Sequence, residues 1–309
     1  MGTTYHIKVS SELSSQETVV MEKAIDDVLL QVNESFSTYI ETSEVSTFNQ
    51  NKSHEEQVKS AEFIRVLEEA LRISDATQGA YDITVGPLVN LWGFGPSFQA
   101  DDVPTDAEIK QAKLAVGYKN IVVNNTRKAI KKLNPDIYID FSSIAKGYGV
   151  DKVANFIESK GHANYMVEIG GEMRVKGNNP EGNKWRIAVE NPDSVERSIH
   201  QVINISDTAI ATSGDYRNFF EKDGVKYSHT IDPTTGRPVQ LSLASVTVLA
   251  DSSMTADAWA TAFMVLGSKK GYDLAIEANL AVLFLVKDGD SLKELKTPKF
   301  KTMIKELKS

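Results

Sequence analysis

The spacing of apolar residues predicts three helices before the middle of the chain. Apolar positions recur every three to four residues in 16–38, in 58–77 and in 142–161, where Gly161 ends the pattern. This period is typical of a helix that buries one face. The polar stretch ETSEVSTFNQNKS at 41–53 lies between the first two, and we interpret it as a loop.

Short alternating runs predict strands in the rest of the chain. These runs lie at 3–9, 120–124, 128–133, 136–142, 165–177, 185–191, 200–206, 208–214, 243–251 and 280–286. Residues 253–267 carry a helical pattern, and a further helix is expected to end near Ala278. We therefore predict an α+β fold with a largely antiparallel sheet and flanking helices. It forms one compact domain over 1–309, helical over about 1–118 and sheet-rich over about 119–309.

Composition narrows the class of function. The chain has 309 residues, a net charge of −8 and no cysteine. Its lysines and arginines are spread along the sequence, so we expect no nucleic-acid partner. The absent cysteines exclude disulfides and thiolate metal sites but leave the cellular compartment open. The apolar run LAVLFLV at 280–286 is far shorter than a membrane span.

Glycines mark two segments where a ligand could approach the backbone. The stretch QGAYDITVGPLVNLWGFGP at 78–96 is rich in glycine, proline and aromatic residues. It is either a ligand-binding loop or a plain loop with aromatic residues in the core. In EIGGEMRVKG at 168–177, Gly170 and Gly171 indicate either a β-bulge or a ligand lying against the strand.

The segment DIYIDFSSIAKGYGVD at 136–151 predicts a corner between a strand and a helix. The strand is expected to end at Asp140, and Ser142 or Ser143 is expected to cap the helix. The free N–H groups of the helix, with Lys146 in its first turn, would suit a phosphate group. The alternative is a capped helix with a solvated lysine.

The helix around TADAWATAF at 255–263 brings an acidic residue and a hydroxyl to one face. Asp257 and Thr261 are four residues apart, and their oxygens are hard ligands suited to Mg²⁺. The alternative is that Asp257 acts as a cap or as a partner of the helix dipole.

The stretch YSHTIDPTTGRPV at 227–239 combines a histidine with a strong turn signal. Pro233 follows Asp232, and Gly236 is available for a positive φ. This turn could aim the ring of His229 at a pocket, although a histidine beside a turn is more often a surface or core residue.

Taken in order, these segments resemble the ApbE family of bacterial FAD:protein FMN transferases. The matching blocks are 1–9, 36–49, 79–96, 140–151, 168–177, 229–238 and 255–267. The resemblance implies a single compact, T-fold-like α+β unit that holds FAD in a cleft, with Mg²⁺ at the diphosphate. It also implies transfer of FMN from FAD to a threonine hydroxyl of a target flavoprotein, with release of AMP.

The resemblance also implies roles for individual residues. For the proton of the acceptor threonine, our own hypothesis is that His229 is the catalytic base, because the unperturbed pKa of a histidine lies near neutrality; Asp257 is a second catalytic candidate. The implied Mg²⁺ ligands are Ser143, Asp257, the backbone carbonyl of Ala260, and Thr261. The implied FAD contacts are Met1, Tyr39, Ala80, Tyr81, Asp82, Asp140, Lys146 and Ile231. The paired glycines Gly170 and Gly171 are further candidates for contact with FAD. This assignment requires the corner at 140–146 and the helix at 257–261 to converge.

The resemblance further implies partners and a location. The targets would be flavoprotein subunits of membrane redox complexes that carry an acceptor motif of the type Asp-x-x-Ser/Thr-Gly-Ala-Thr. The family implies a bacterial periplasmic lipoprotein of the inner membrane, attached through a lipid anchor upstream of residue 1. We expect either that a leader has been removed from this chain or that the chain is a leaderless relative.

Two alternative functions would use the same flavin-binding site without transfer of FMN to a protein. In one, water attacks the diphosphate and the protein is an FAD pyrophosphatase that releases FMN and AMP. In the other, the protein is a non-catalytic lipoprotein that binds or stores flavin.

Overall fold

A computed structural model of the chain describes residues 2–96, 103–192, 198–214, 219–222, 224–240, 242–289 and 291–306. Its helices are α1 (Ser15–Phe36), α2 (Glu44–Gln50), α3 (Ala61–Ala76), α4 (Gly86–Leu91), α5 (Asp106–Lys113), α6 (Ala145–Ser159), α7 (Ser253–Glu277) and α8 (Pro298–Glu306). The first eight strands are β1 (Tyr5–Val9), β2 (Gln57–Val58), β3 (Ile121–Asn124), β4 (Ala129–Lys132), β5 (Tyr165–Ile169), β6 (Glu172–Lys176), β7 (Trp185–Glu190) and β8 (Ile199–Ile205). The others are β9 (Thr208–Gly214), β10 (Phe219–Lys222), β11 (Val225–Ser228), β12 (Ile231–Asp232), β13 (Arg237–Pro238), β14 (Leu243–Ala250), β15 (Ala281–Asp288) and β16 (Ser291–Lys296).

The chain divides into two compact units, each assembled from segments that are distant in sequence. The sheet unit consists of Met1–Gln31, Lys146–Gly214 and Ser242–Ser309. The helical unit consists of Val32–Ala145 and Asp215–Leu241. The α+β class is confirmed, whereas the extent of the domain stays a prediction.

The sheet unit is built on an antiparallel sheet. Among the described residues this sheet has seven strands, in the order β1-β5-β6-β9-β14-β15-β16, and each neighbouring pair is antiparallel. This confirms the predicted strand arrangement. β14 is buried along nearly its whole length, as expected for a strand covered on both faces. α7 packs against β14 and β9, and α8 packs against β15.

The helical unit combines short helices with small sheets. Among its described residues, β2, β4 and β3 form one sheet, and the pairs β10-β11 and β12-β13 form two hairpins. Phe141 packs edge-on against both Phe36 and Phe63, with ring centroids 5.2 Å apart in each pair. Such edge-to-face pairs favour a fixed arrangement of the core beyond simple burial of area.

The longer helical predictions are confirmed. α3 and α6 lie within their predicted ranges, and α1 begins one residue before its predicted range. Residues 253–277 are helical apart from Gly267, which has a φ of 75°. That conformation interrupts the helix where the sequence predicted one helix to end and another to begin, because glycine enters this region without a Cβ penalty.

Two of the segments that we interpreted as loops contain short helices. α2 lies within 41–53 and begins after Ser43, whose side chain accepts a hydrogen bond from the N–H of Ser46. α4 lies within 78–96, with Pro87 in its first turn. Helices of six or seven residues span fewer than two full turns, so they contain too few apolar positions for the period to show.

The prediction of a strand at 136–142 is wrong. The backbone there is bonded by a side chain and a loop instead of a neighbouring strand. The Ile139 N–H donates to Oδ1 of Asn49 at 2.7 Å, and Nδ2 of Asn49 donates to the Ile139 carbonyl at 2.8 Å. The N–H of Asp140 donates to the carbonyl of Ile83 at 2.8 Å. The buried amide thus supplies both bonds that a partner strand would make.

Lys132 is fully buried at the end of β4. Its ammonium donates to the carbonyls of Asn51 at 2.8 Å and Asn49 at 3.3 Å and lies 4.5 Å from the ring centroid of Phe48. Burial, with a smaller effect of the nearby charge of Lys52, lowers the pKa of Lys132 to about 8.

We predict that Lys132 makes the stability of the protein rise with pH in the alkaline range. Between pH 8 and 10.5 the unfolded chain keeps the proton on this lysine while the folded chain has lost it. The free energy of unfolding of the wild type, relative to Lys132→Met, should therefore increase by up to about 1.4 kcal/mol per pH unit. Urea unfolding across this range measures the difference. Lys131→Met, on the partly exposed neighbour, is the control, and parallel curves for wild type and Lys132→Met would contradict the prediction.

Candidate functional site

Three charged side chains meet inside the sheet unit. Nζ of Lys146, in the first turn of α6, lies 2.7 Å from Oε1 of Glu172 and 3.5 Å from Oδ1 of Asp257. Glu172 and Asp257 are 3% and 2% exposed, whereas the Lys146 side chain is 32% exposed. The first turn of α6 therefore lies next to the acidic turn of α7. For Lys146 and Asp257, this is the convergence that the assignment from the sequence requires.

The charges in this cluster shift one another's protonation. Burial alone would lower the pKa of Lys146, but the carboxylates of Asp257 and Glu172 outweigh burial and hold that pKa above its ordinary value. Burial raises the pKa of Glu172 to about 7, against the opposing effect of the Lys146 ammonium. The lysine is therefore charged at neutral pH and depends on the two carboxylates for compensation.

Sequence reasoning missed Glu172. It is the first residue of β6 and follows the two glycines directly. An acidic residue at the start of a strand, immediately after a Gly-Gly turn, was the available signal. This signal could not be interpreted from the sequence because the partner residues Lys146 and Asp257 are distant from Glu172 along the chain.

A close approach of two helices fixes Asp257. The N–H of Gly147 donates to Oδ2 of Asp257 at 3.0 Å. A Cβ at Gly147 would lie 2.3 Å from the carbonyl oxygen of Ser253 and 2.8 Å from Cα of Met254. Only glycine permits this approach without a backbone shift, so α6 offers both an N–H and an ammonium to one carboxylate.

Asp151, one turn further along α6, holds the beginning of α7. Its carboxylate accepts hydrogen bonds from the hydroxyl of Ser252 at 2.8 Å and from the N–H groups of Ser253 at 3.0 Å and Met254 at 2.9 Å. These N–H groups have no partner within the helix, so a buried carboxylate stabilises them. The position of Asp257, one turn into α7, consequently depends on Asp151.

Gly170 and Gly171 form a two-residue turn between β5 and β6. Their φ values are 60° and 105°, and Ile169 pairs with Glu172 without a shift in register. The β-bulge interpretation is therefore wrong, and positive φ at both positions explains why two glycines occur here. The N–H of Gly171 also donates to Oε1 of Glu168 at 2.6 Å. A ligand contact at these glycines stays a prediction.

Candidate metal ligands in the sheet unit lie on α7. Asp257 and Thr261 are one turn apart, and Oγ1 of Thr261 lies 3.4 Å from Oγ of Ser213. The side chain of Ala260 is fully buried. Among the described residues, no group of three or more His, Cys, Asp or Glu side chains is arranged to hold a metal ion. One carboxylate with hydroxyl and carbonyl oxygens nevertheless fits Mg²⁺, which takes oxygen ligands and usually retains several waters.

Two predicted ligand residues of the helical unit are in contact. The hydroxyl of Ser143 donates to the hydroxyl of Tyr81 at 3.0 Å. Tyr81 is 3% exposed and its N–H donates to the hydroxyl of Thr77 at 3.1 Å. Ala80, just before it, is partly buried. The structure thus joins the 78–96 segment to the corner before α6.

The carboxylates of Asp82 and Asp140 hold irregular backbone in place. Asp82 accepts hydrogen bonds from the N–H and the hydroxyl of Thr84 at 2.8 and 2.6 Å and from the N–H of Tyr118 at 3.0 Å. Asp140 accepts from the N–H of Ser142 at 2.8 Å. Burial raises the pKa of both aspartates, and these hydrogen bonds oppose the shift. Both residues are therefore structural as well as candidate ligand contacts.

Tyr39 and Ile231 differ in how they could meet a ligand. Tyr39 is 72% exposed, so its ring is accessible for stacking on a flat group. Ile231 is 4% exposed and packs with Leu88, Trp92 and Ile109, so a ligand contact there would involve its backbone. Met1, the remaining predicted contact, lies outside the described residues.

The hairpin after His229 confirms the predicted turn. β12 and β13 pair antiparallel, Gly236 has a φ of 76°, and Asp232 accepts a hydrogen bond from the N–H of Thr234 at 2.8 Å. Nε1 of Trp92 donates to the carbonyl of Gly236 at 2.8 Å and ties the turn to the core. The partly buried ring of His229 lies edge-on to Phe94, with centroids 6.3 Å apart. This histidine thus precedes a hairpin that is hydrogen-bonded to the core.

Comparisons with known proteins agree with this antiparallel α+β fold. The solved structure of flavin transferase ApbE from Vibrio cholerae matches with a TM-score of 0.90 at 46% identity, over 98% of this chain and 96% of that one. The apo form of Pseudomonas stutzeri flavinyl transferase ApbE matches with a TM-score of 0.88 at 35% identity, over 98% and 94%. The fold is therefore that of solved flavin transferases.

Sequence comparison identifies the family. A Vibrio cholerae serotype O1 protein named FAD:protein FMN transferase is 47% identical over 304 residues, which cover 98% of this chain and 90% of that protein. The sequence model of the ApbE family matches residues 1–284. The chain belongs to the ApbE family.

We predict that Asp151→Ala destabilises the protein because it leaves two N–H groups at the start of α7 and the Ser252 hydroxyl without their acceptor. The free energy of unfolding in urea should fall by about 2–3 kcal/mol. Ser252→Ala, which removes the N-cap but keeps the carboxylate, should cost only about 1 kcal/mol. A loss within about 0.5 kcal/mol for Asp151→Ala, the range of surface substitutions, would contradict this role.

Proposed function

We propose that this chain is an FAD:protein FMN transferase, which moves FMN from FAD to a threonine hydroxyl of a target flavoprotein and releases AMP. The observation that carries the proposal is the buried cluster of Lys146, Glu172 and Asp257 in a chain similar over 98% of its length to proteins of that name. This cluster supports the proposal because fixed charges suit the diphosphate of a dinucleotide and its counter-ion.

Asp257 and Thr261, with the carbonyl of Ala260 and the hydroxyl of Ser143, are the proposed ligands of Mg²⁺. When bound, this ion supplies positive charge at the diphosphate and polarises the phosphorus under attack. A chain with a net charge of −8 needs such compensation to bind an anionic substrate. The hydrogen bond from Gly147 to Asp257 leaves lone pairs on the carboxylate for a cation.

His229 is the proposed general base. The threonine oxygen of the target forms a bond to the phosphorus of the FMN moiety, the bond from that phosphorus to the AMP phosphate oxygen breaks, and the threonine proton passes to His229. An imidazole suits this step because its unperturbed pKa lies near neutrality. The fixed hairpin that follows His229 supports the role, since a base must be held in position.

The proposed FAD contacts are those that the family resemblance implies. In the helical unit the exposed ring of Tyr39 offers a stacking surface, and the 80–82 run, Asp140 and the backbone of Ile231 offer polar groups. In the sheet unit Lys146 supplies positive charge, and the turn of Gly170 and Gly171 permits close approach of a ligand to its backbone.

The proposed partners are flavoprotein subunits of membrane redox complexes with an Asp-x-x-Ser/Thr-Gly-Ala-Thr acceptor motif. The proposed location is the bacterial periplasm, with attachment to the inner membrane through a lipid anchor upstream of residue 1. In the part of the chain that the structure describes, no helix has both the length and the apolar character needed to span a membrane.

The decisive experiment incubates the protein with FAD, Mg²⁺ and a candidate acceptor subunit and reads flavin fluorescence on the subunit in a denaturing gel. We expect fluorescence that disappears with EDTA and with a Thr→Val acceptor. Fluorescence that survives EDTA would overturn the role of the metal. Rapid AMP release without an acceptor would identify an FAD pyrophosphatase, and FAD binding with no product would identify a flavin-binding protein.

We predict that His229→Asn lowers the rate of FMN transfer about 10²–10⁴-fold, the usual contribution of a general base, while FAD binding is largely retained. Single-turnover transfer measures the rate, and fluorescence titration measures FAD affinity. The control is His200→Asn, which alters a histidine paired with Glu294. Near-normal transfer by His229→Asn would remove this residue from the mechanism.

A further inference from the structure

A row of four aromatic rings in the helical unit leads to His229. The ring centroids of Trp92 and Tyr227 lie 5.5 Å apart, and those of Tyr227 and Phe220 lie 4.9 Å apart. The next ring is that of Phe94, at 5.6 Å from Phe220. Phe94 in turn lies edge-on to the imidazole of His229, with centroids 6.3 Å apart and an angle of 71° between the rings. Aromatic rings attract one another at these separations, so each ring limits the rotation of the next.

This aromatic row runs from the core toward the surface. Trp92 is 2% exposed and packs with Leu88 and Ile109. Phe94 and His229, at the other end, are only partly buried. Burial in the core therefore explains the inner end of the row, whereas an aromatic ring beside the histidine at the outer end calls for another reason.

The backbone of Phe94 is held by the end of α4. Gly93 has a φ of 80°, and its N–H donates to the carbonyl of Asn90 at 3.1 Å. The N–H of Phe94 donates to the carbonyl of Val89 at 3.0 Å. These two bonds form a Schellman motif, in which a helix ends on a glycine of positive φ. They fix the point from which the Phe94 side chain extends toward His229.

The backbone on either side of His229 is hydrogen-bonded as well. The hydroxyl of Ser228 accepts a hydrogen bond from the N–H of Thr230 at 3.2 Å, and the carbonyl of Thr230 accepts one from the N–H of Val239 at 2.9 Å. Bonds of this kind hold the main chain but do not set the rotation of the imidazole about its own side-chain bonds. Phe94 acts on that rotation because its ring lies against the imidazole.

We propose that Phe94 is a positioning residue for His229 and holds the imidazole in the orientation in which it accepts the proton of the acceptor threonine. This inference deepens the proposed function and rests on it, because it concerns the base of that reaction. Phe94 has no group that exchanges a proton, so it acts only through His229. A catalytic group that is misplaced by about 1 Å can cost about 100-fold in rate.

Phe94→Leu should slow FMN transfer without weakening FAD binding. Leucine is apolar but lacks the flat ring, so the imidazole gains freedom to rotate. We expect the single-turnover rate at saturating FAD and Mg²⁺ to fall about 10–100-fold, while the dissociation constant of FAD changes by less than about twofold. Phe94→Tyr keeps the ring at nearly the same volume and should retain the rate within about threefold.

A double-mutant cycle separates positioning from a general structural role. Phe94→Leu is combined with His229→Asn, and the transfer rate is compared with those of the single variants. If Phe94 acts through the imidazole, its replacement should cause no further loss once the imidazole is absent. A structural defect would instead slow transfer by the same factor in both backgrounds.

A spectroscopic readout tests the contact without FAD or acceptor. The five histidines of the chain are labelled with carbon-13 at Cε1, and the nuclear magnetic resonance signal of His229 is assigned by its absence from His229→Asn. The ring current of Phe94 displaces this signal in the wild type. The signal should therefore move in Phe94→Leu and stay near its wild-type position in Phe94→Tyr.

Phe156→Leu is the matched control. Phe156 is also a partly buried phenylalanine, but it packs in the sheet unit against an apolar cluster that contains Ile25 and Ile157. Its replacement should leave both the transfer rate and the His229 signal at their wild-type values.

Four results would overturn the inference. They are an unchanged transfer rate in Phe94→Leu, an equal loss in both backgrounds of the cycle, a fall in FAD affinity that accounts for the slower transfer, and a His229 signal that does not move. If Phe94→Leu does not fold, Phe94→Met replaces it, because the flexible methionine fills irregular gaps. Unfolding of both variants would assign Phe94 to the fold and would also overturn the inference. Failure of the proposed function is seen separately, as absent FMN transfer by the wild type with FAD, Mg²⁺ and acceptor.

Discussion

The burial of Asp257 against the start of α6 is the constraint on which the candidate site depends. A carboxylate that is 2% exposed needs donors and positive charge, and α6 provides both through the N–H of Gly147 and the ammonium of Lys146. The approach is close enough that a Cβ at Gly147 would collide with the backbone of α7. Asp151 makes the reciprocal contact by accepting hydrogen bonds from the start of α7. Each helix thus satisfies polar groups of the other, and the charges are placed as a consequence of how the helices pack.

Side chains replace regular secondary structure in the helical unit. Asn49 bonds both backbone groups of Ile139, and Asp82 accepts hydrogen bonds from Thr84 and Tyr118. Buried backbone must be hydrogen-bonded, so irregular segments can enter the interior only where side chains of this kind are available. Such segments can adopt shapes that a strand or helix cannot, and shape is what a ligand contact requires.

Tight turns that contain glycine lie close in sequence to candidate residues in both units. The turn of Gly170 and Gly171 delivers Glu172 to the interior at the first position of β6, and Gly236 closes the hairpin that follows His229. In both cases glycines with positive φ form a tight turn close in sequence to a candidate residue. The same residues therefore belong to the fold and to the candidate chemistry.

The sequence by itself determined the elements whose signals are local. The apolar period located α1, α3, α6 and the interrupted helix at Gly267, and alternation located most strands of the antiparallel sheet. The turn at 232–236 and the shared face of Asp257 and Thr261 also follow from local spacing. Helices as short as α2 and α4 escaped because six or seven residues contain too few apolar positions to show a period.

Only the tertiary structure decided which distant groups meet. The apolar and polar residues at 136–142 alternate as in a strand. The backbone of this segment is hydrogen-bonded to the side chain of Asn49 and to the carbonyl of Ile83 instead of a neighbouring strand, so no strand forms. Glu172 gained its importance from Lys146 and Asp257, which lie 26 residues before and 85 residues after it. A sequence pattern records what each residue requires from its environment, such as burial, a donor or a counter-charge. The residue that meets the requirement is chosen by the packing of helices and strands, which depends on contacts along the whole chain.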